Sequence, residues 1–342
     1  METVVTFGEL MLRLSPPGFE RFFQSPVLSA TFGGGEANVA ASLAQFGLHS
    51  RYVTALPKHA IGDAALRALR AEGIDTSHVV RRGDRVGIYF AETGASQRAS
   101  TVIYDRAHSA ISEMDPSAVA WDTVMAGAAW FHVTGITPAL GVKAAESAKA
   151  AVTAAKRAGA TVSVDLNFRK KLWSESQAQA TMKPLMRDVD VVVANEEDLQ
   201  TVLGITVEGA DVHKATLDIA GYKAAAERVT REFGPKLVAV TLRESLSASD
   251  NGWSAVLWDA DAKLLHQSQH YVVRLVDRIG GGDSFAAGLI YGIVTGRPLD
   301  ASLRFAVAAS ALKQTIPGDM NRVTVAEVDA LAKGDATGRV QR

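Results

Sequence analysis

Twelve residues, Asp277 to Gly288 (DRIGGGDSFAAG), set three consecutive glycines directly before a carboxylate, Asp283. A β-prone run, Tyr271 to Val276, leads into them and a helical run, Ser284 to Gly296, leads out, which puts Asp283 where the helix begins. A helix N-terminus offers unpaired N–H groups and a partial positive charge. With no Cβ atoms, Gly280, Gly281 and Gly282 let a phosphate come close to the main chain. A carboxylate there does nothing to hold an anion, but it can take the proton of a hydroxyl that attacks one. These residue types point to phosphoryl transfer. A tight turn with an Asp cap would read the same way, so the loop alone leaves a purely structural role open. No Lys followed by Ser or Thr closes it as in a Walker A loop, and the spacing is not that of a dinucleotide fingerprint.

Such a loop needs a strand and a helix to hold it, and from residue 120 onward the chain supplies them in alternation. Strands are predicted at Trp130 to Thr134, Thr161 to Asp165, Val189 to Ala194 and Leu237 to Leu242, with two more between Ser254 and Val276. Helices are predicted at Val142 to Ala158, Glu196 to Leu203 and Lys223 to Phe233. This alternation implies a mostly parallel sheet covered on both faces. Before it come a strand over Val4 to Leu14, a helix over Glu36 to Phe46, a strand over Arg51 to Leu56 and a helix over Asp63 to Glu72. The runs Phe22 to Phe32, Gly87 to Ala91 and Thr101 to Tyr104 alternate as strands exposed on one face do, and are expected to form a small sheet outside the core, within about 12–32 and 86–106. A single α/β domain over residues 1–342 follows.

Ligands of such sheets gather at the carboxyl ends of the strands. Three polar clusters fall there: Asp165 to Arg169, Asn195 to Asp198, and Asp277 with the glycine loop. Three coincident clusters favour a site over three separate caps. Lys plus Arg (36) nearly balance Asp plus Glu (37), which makes no electrostatic case for nucleic acid or an acidic membrane. The 342 residues, 47% hydrophobic, support a large core, and the absence of cysteine excludes disulfides, thiolate metal sites and a cysteine nucleophile. Glu2 and Glu9 stand where a secretory signal has basic and unbroken apolar residues, and no run of 18 apolar residues occurs, so a cytoplasmic protein is expected.

These residues together resemble the ribokinase-like, or PfkB, family of sugar kinases over nearly the whole chain. Gly33, Gly34 and Gly35 followed by Asn38 resemble the family's N-terminal pattern, and Asp277 to Gly288 resembles its C-terminal one, with Arg278 for the usual Thr and Gly281 for the usual Ala. The resemblance implies a three-layer sandwich with a small β-sheet lid. It also implies ATP and Mg²⁺ as cofactors, leaves room for a monovalent cation, and implies a homo-oligomer formed through the lid. It makes Asp283 the catalytic base, Gly280 to Gly282 the anion hole, and Gly34, Gly35 and Asn38 contacts to the sugar. Asn195 to Asp198 resembles the family's Asn-x-x-Glu motif, so Asn195 and Asn167 are expected near the nucleotide, and Asp198 near Mg²⁺ through water. Thr241 is expected to meet a phosphate, although no glycine-bearing nucleotide loop follows it.

Within the family, Tyr89, Tyr104 to Arg106 and Asp165 to Trp173 are most similar to the kinases of 2-keto-3-deoxygluconate. Arg106 and Arg169 suit a carboxylate, and Tyr89 and Tyr104 suit hydroxyl or keto oxygens. A kinase of a neutral sugar, such as fructose or ribose, is the alternative. A catalytically silent sugar-binding regulator is a second.

Overall fold

A computed structural model describes residues 2–207 and 219–335. The first hydrophobic run is not one strand. It breaks at Gly8–Leu10 into β1 (Thr3–Phe7), inside the main sheet, and β2 (Met11–Ser15), which leaves for a second sheet. From Phe22 to Phe32 only β3 (Ser29–Gly33) forms, since Pro16, Pro17 and Pro26 remove ladder donors ahead of it. The run Arg51 to Leu56 also divides, into β4 (His49–Val53) and β5 (Ala55–Leu56), the latter paired with β6 (Val80–Arg81). The strands β7 (Gly87–Glu92), β8 (Thr101–Asp105), β9 (Ala128–Thr134), β10 (Thr161–Asp165) and β11 (Val191–Ala194) agree with the sequence reading to within two residues. β12 (Leu237–Ser245) runs beyond Leu242, because β13 (Asp250–Asp259) pairs with it along its whole length. Three strands rather than two then follow residue 249: β13, β14 (Leu264–Gln267) and β15 (Tyr271–Arg274).

The main sheet has the order β14-β13-β12-β11-β10-β9-β1-β4, with β15 also on β13. From β4 to β12 every pairing is parallel, and the β13 end is antiparallel. Consecutive residues of one strand serve opposite cores. Val192 packs with Val164 and Val238 under the helices Val142–Arg157, Glu175–Leu185 and Ile219–Phe233. Val191 and Val193 pack with Phe285, Leu303 and Phe305 under the helices Gly35–Gln45, Gly281–Val294 and Leu299–Lys313. This is the expected three-layer sandwich. The second sheet, β3-β2-β7-β8, stands apart from it.

The helices Gly281–Val294 and Leu299–Lys313 touch almost backbone to backbone. A Cβ on Gly288 would lie 2.7 Å from Ala306 Cα, and one on Gly292 would lie 2.6 Å from the Ser302 side chain. This pair carries the glycine loop at one helix start. Gly288→Val overpacks it and is expected to cost about 1–3 kcal/mol of stability, read as a lower denaturant midpoint at unchanged m-value.

Candidate active site

A cavity of about 420 Å³ opens at the carboxyl ends of β10 and β11, walled on one side by Met11, Tyr89 and Tyr104 of the small sheet. Gly280, Gly281 and Gly282 form part of its floor. Gly280 is the N-cap, in a left-handed conformation (φ 83°), and a Cβ there would stand 1.9 Å from Asp319 O. Both facts demand glycine. Gly281 N–H turns back to Arg278 O (3.3 Å), so Gly282 and Asp283 supply the first-turn amides of helix Gly281–Val294.

Asp283 is the third residue of that helix rather than its cap. Its Oδ2 accepts a hydrogen bond from Asn38 Nδ2 (2.7 Å), and Asn38 Oδ1 accepts from Gly34 N–H (3.3 Å), so Asn38 orients the carboxylate while lining the cavity itself. Burial pushes the Asp283 carboxyl up to about 6, against the Asn38 hydrogen bond. Gly34 must lack a side chain, because its Cβ would meet Glu9 O at 1.9 Å. Beside it, buried Glu36 fastens the helix Gly35–Gln45 to the end of β9 by accepting from Thr134 N–H (2.8 Å), Thr134 Oγ1 (2.9 Å) and Thr137 Oγ1 (2.6 Å). Burial raises the Glu36 carboxyl to about 7.

The small sheet is bonded to the loop by charge. Arg13 of β2 bridges Asp319 (2.5 Å) and Asp277 (2.7 Å), and the Tyr89 hydroxyl donates to Asp319 Oδ2, all buried. Tyr89 thus gives its proton to Asp319 and keeps only acceptor capacity for a ligand. Arg106 also differs from expectation. Its Nε and Nη2 donate to the buried Glu9 carboxylate, which balances its charge, and the guanidinium lies 5.3 Å from the Tyr104 ring centre. Arg169 remains. It lines the cavity and, among the described residues, donates only to Phe168 O (3.2 Å) and has no salt-bridge partner.

At the other end of the cavity, Asp198 is buried, accepting from Phe168 N–H (2.8 Å) at Oδ1 and Asn195 N–H (3.2 Å) at Oδ2. Both oxygens are therefore engaged, and Asn195 Oδ1 accepts from Asp198 N–H in return (2.8 Å). Asn167, left-handed at φ 37°, donates to Asp165 at 3.4 Å. Burial, then the charges of Asp198 and Asp283, push the Asp165 carboxyl well above the usual carboxylate range. No cluster of three potential metal ligands occurs among the described residues. Thr241 lines the cavity but sits within β12, and its Oγ1 donates to Ala194 O at 3.4 Å. Arg243 and Arg278 also line this end, each without a salt bridge among the described residues, and burial with the nearby Arg243 charge lowers the Arg278 pKa.

The model of the pfkB family carbohydrate kinases matches residues 1–324. The chain belongs to this family. This pfkB kinase is 33% identical over 337 residues to a 2-dehydro-3-deoxygalactonokinase of Haloferax volcanii, covering 98% of both chains. It is 28% identical to a 2-dehydro-3-deoxygluconokinase of Bacillus subtilis over 94% of its length and 93% of the relative's. Its structure superposes on that of a 2-dehydro-3-deoxygluconokinase from Thermotoga maritima with a TM-score of 0.94 and 49% identity, covering 98% and 100% of the two chains. The ribokinase-like fold of a carbohydrate kinase is thereby shown.

The structure gathers every sequence-predicted site residue of this pfkB kinase around one cavity. Sequence reasoning missed Arg13, Glu9 and Asp319, each a single charged residue in an ordinary strand or loop with no local pattern. The elevated Asp283 pKa predicts a pH limb. The base that the sequence reading expects at Asp283 works deprotonated, so on that reading kcat/KM is expected to fall as pH drops through about 6. Asn38→Ala removes a bond that favours the carboxylate and should move that limb to higher pH in the same profile.

Proposed function

We propose that this kinase transfers the γ-phosphoryl group of ATP to the terminal hydroxyl of 2-keto-3-deoxygluconate, giving the 6-phosphate. The observation that carries this reading is charge. Of the arginines at the sugar end, Arg13 and Arg106 are neutralised inside the protein, whereas Arg169 has no carboxylate salt bridge among the described residues and shares the cavity with Asp283. Asp165, Asp198 and Asp283 feel its charge but none pairs with it directly, which leaves its guanidinium N–H groups for the carboxylate of a sugar acid that a neutral sugar lacks. The names of the Bacillus subtilis and Thermotoga maritima relatives support the same substrate class, and that of the Haloferax volcanii relative supports its galacto epimer.

In this reading Asn38 presents the Asp283 carboxylate to the attacking hydroxyl, and Asp283 takes its proton. The first-turn amides of Gly282 and Asp283, with Gly280 at the cap, receive the charge on the transferring phosphoryl oxygens. Tyr89 and Tyr104 line the sugar, and Arg243 and Arg278 face the polyphosphate. Mg²⁺ would be held mainly by the phosphates, with Asp165 and Asp198 reaching it through water, and would neutralise phosphate charge. Asn167 and Asn195 shape that end, and Thr241 adds a hydroxyl to it. The sheet β3-β2-β7-β8 acts as a lid within one catalytic domain. Exposed apolar residues, Ile103 on β8 and Phe19, Phe23 and Val27 in the segment between β2 and β3, support pairing between two copies.

Asp283→Asn is expected to lower kcat by several orders of magnitude while leaving the sugar affinity nearly unchanged, measured by ADP release and calorimetry. Near-normal turnover would remove Asp283 as the base. Across a panel of sugars and sugar acids, Arg169→Ala should weaken acids by about 1.5–3 kcal/mol and neutral sugars little. Equal losses on ketodeoxygluconate and fructose would refute the carboxylate contact.

A further inference from the structure

Lys313, the last residue of the helix Leu299–Lys313, is completely buried, and no step above uses it. Its Nζ donates to the carbonyl oxygens of Asp277 (3.2 Å) and Ile279, on the loop that carries Gly280. Three residues earlier on the same helix face, Ser310 Oγ donates to Gly281 O (2.7 Å). The loop is therefore gripped by its carbonyls from behind. A trans peptide points its N–H opposite to its C=O, so fixing Ile279 O toward Lys313 turns the Gly280 N–H away from it. Ile279 and Gly280 line the cavity and Lys313 does not, so that direction is toward the phosphate.

The local charge makes this grip necessary. Asp277, Asp283 and Asp319 surround the loop, and Arg13 is committed to two of them. A phosphate entering beside three carboxylates needs a further fixed positive charge. Carbonyl oxygens behind an anion loop are also the ligands a monovalent cation would use. Here the residues do not fit such an ion, because Lys313 already occupies the Asp277 and Ile279 carbonyls.

We propose that the Lys313 ammonium is an internal, permanently bound substitute for a monovalent cation, so that the anion loop is set for phosphoryl transfer without K⁺. The inference rests on the phosphoryl-transfer reading, not on the identity of the sugar. Lys313 is a positioning residue, acting through the loop.

The purified full chain is assayed at equal ionic strength in KCl and in tetramethylammonium chloride. Wild-type turnover should agree within about twofold, while Lys313→Ala should lose about 100-fold in tetramethylammonium and recover at least about tenfold in K⁺ or NH₄⁺. Activation of the wild type by K⁺ beyond about fivefold overturns the proposal. So does a folded Lys313→Ala protein that no small cation rescues, since that marks a purely structural lysine. Crystals grown in RbCl without substrate give an arm independent of the sugar assignment. The anomalous map should show no Rb⁺ beside Asp277 O and Ile279 O in the wild type and a peak there in Lys313→Ala. A wild-type peak at those oxygens overturns the proposal even where the variant fails to fold.

Discussion

Asp319 is the point where the two sheets and the glycine loop meet. Its carboxylate accepts from Arg13 of β2 and Tyr89 of β7, and its carbonyl oxygen occupies the space a Gly280 side chain would need. Arg13 extends the contact to Asp277, which in turn accepts from Ile279 N–H (3.1 Å) and Gly318 N–H (3.1 Å). Such a buried network is costly to break, since removing one member strands the charge of another, at about 3–5 kcal/mol. The cavity wall built by the small sheet and the floor built by the glycine loop are therefore held in one register by the same carboxylate.

The charges in the cavity are sorted by what already neutralises them. Burial favours the protonated forms of Asp165, Asp198 and Glu36, and backbone or hydroxyl donors oppose it at Asp198 and Glu36. Arg13, Arg106 and Lys313 are consumed by carboxylates or carbonyls. Of the arginines that line the cavity, Arg169 at one end and Arg243 and Arg278 at the other have no salt bridge among the described residues, and they share the lining with Glu196, Glu197 and Glu244.

Much of this was legible from the residues. The strand-and-helix alternation after residue 120 placed three polar clusters on one edge of a sheet, and the structure puts all three around the cavity. Boundaries failed where backbone chemistry overrode hydrophobic pattern: at Gly8–Leu10, where a continuous apolar run changes sheets, and at Thr241 to Ser245, where pairing with β13 prolongs a strand through polar residues. Arg13 in the sequence LRL reads as the solvent-facing member of an alternating strand, and Lys313 as a surface cation completing a helix C-terminus. Both are buried. Their partners lie far away in the chain, and only the tertiary fold shows them.

That distance has a kinetic side. Arg13 and Asp319 are separated by 306 positions, and Tyr89 and Asp319 by 230. Contacts of such long range are the slow ones to form, because the closure entropy of the intervening chain must be met before they contribute. Each half of the network left without the other would hold an uncompensated charge in an apolar surrounding. The cavity wall built by β2 and β7 is thus among the last regions to lock during folding, and a chain that has built its parallel strands but not yet docked Asp319 is an ordered protein with an unfinished cavity.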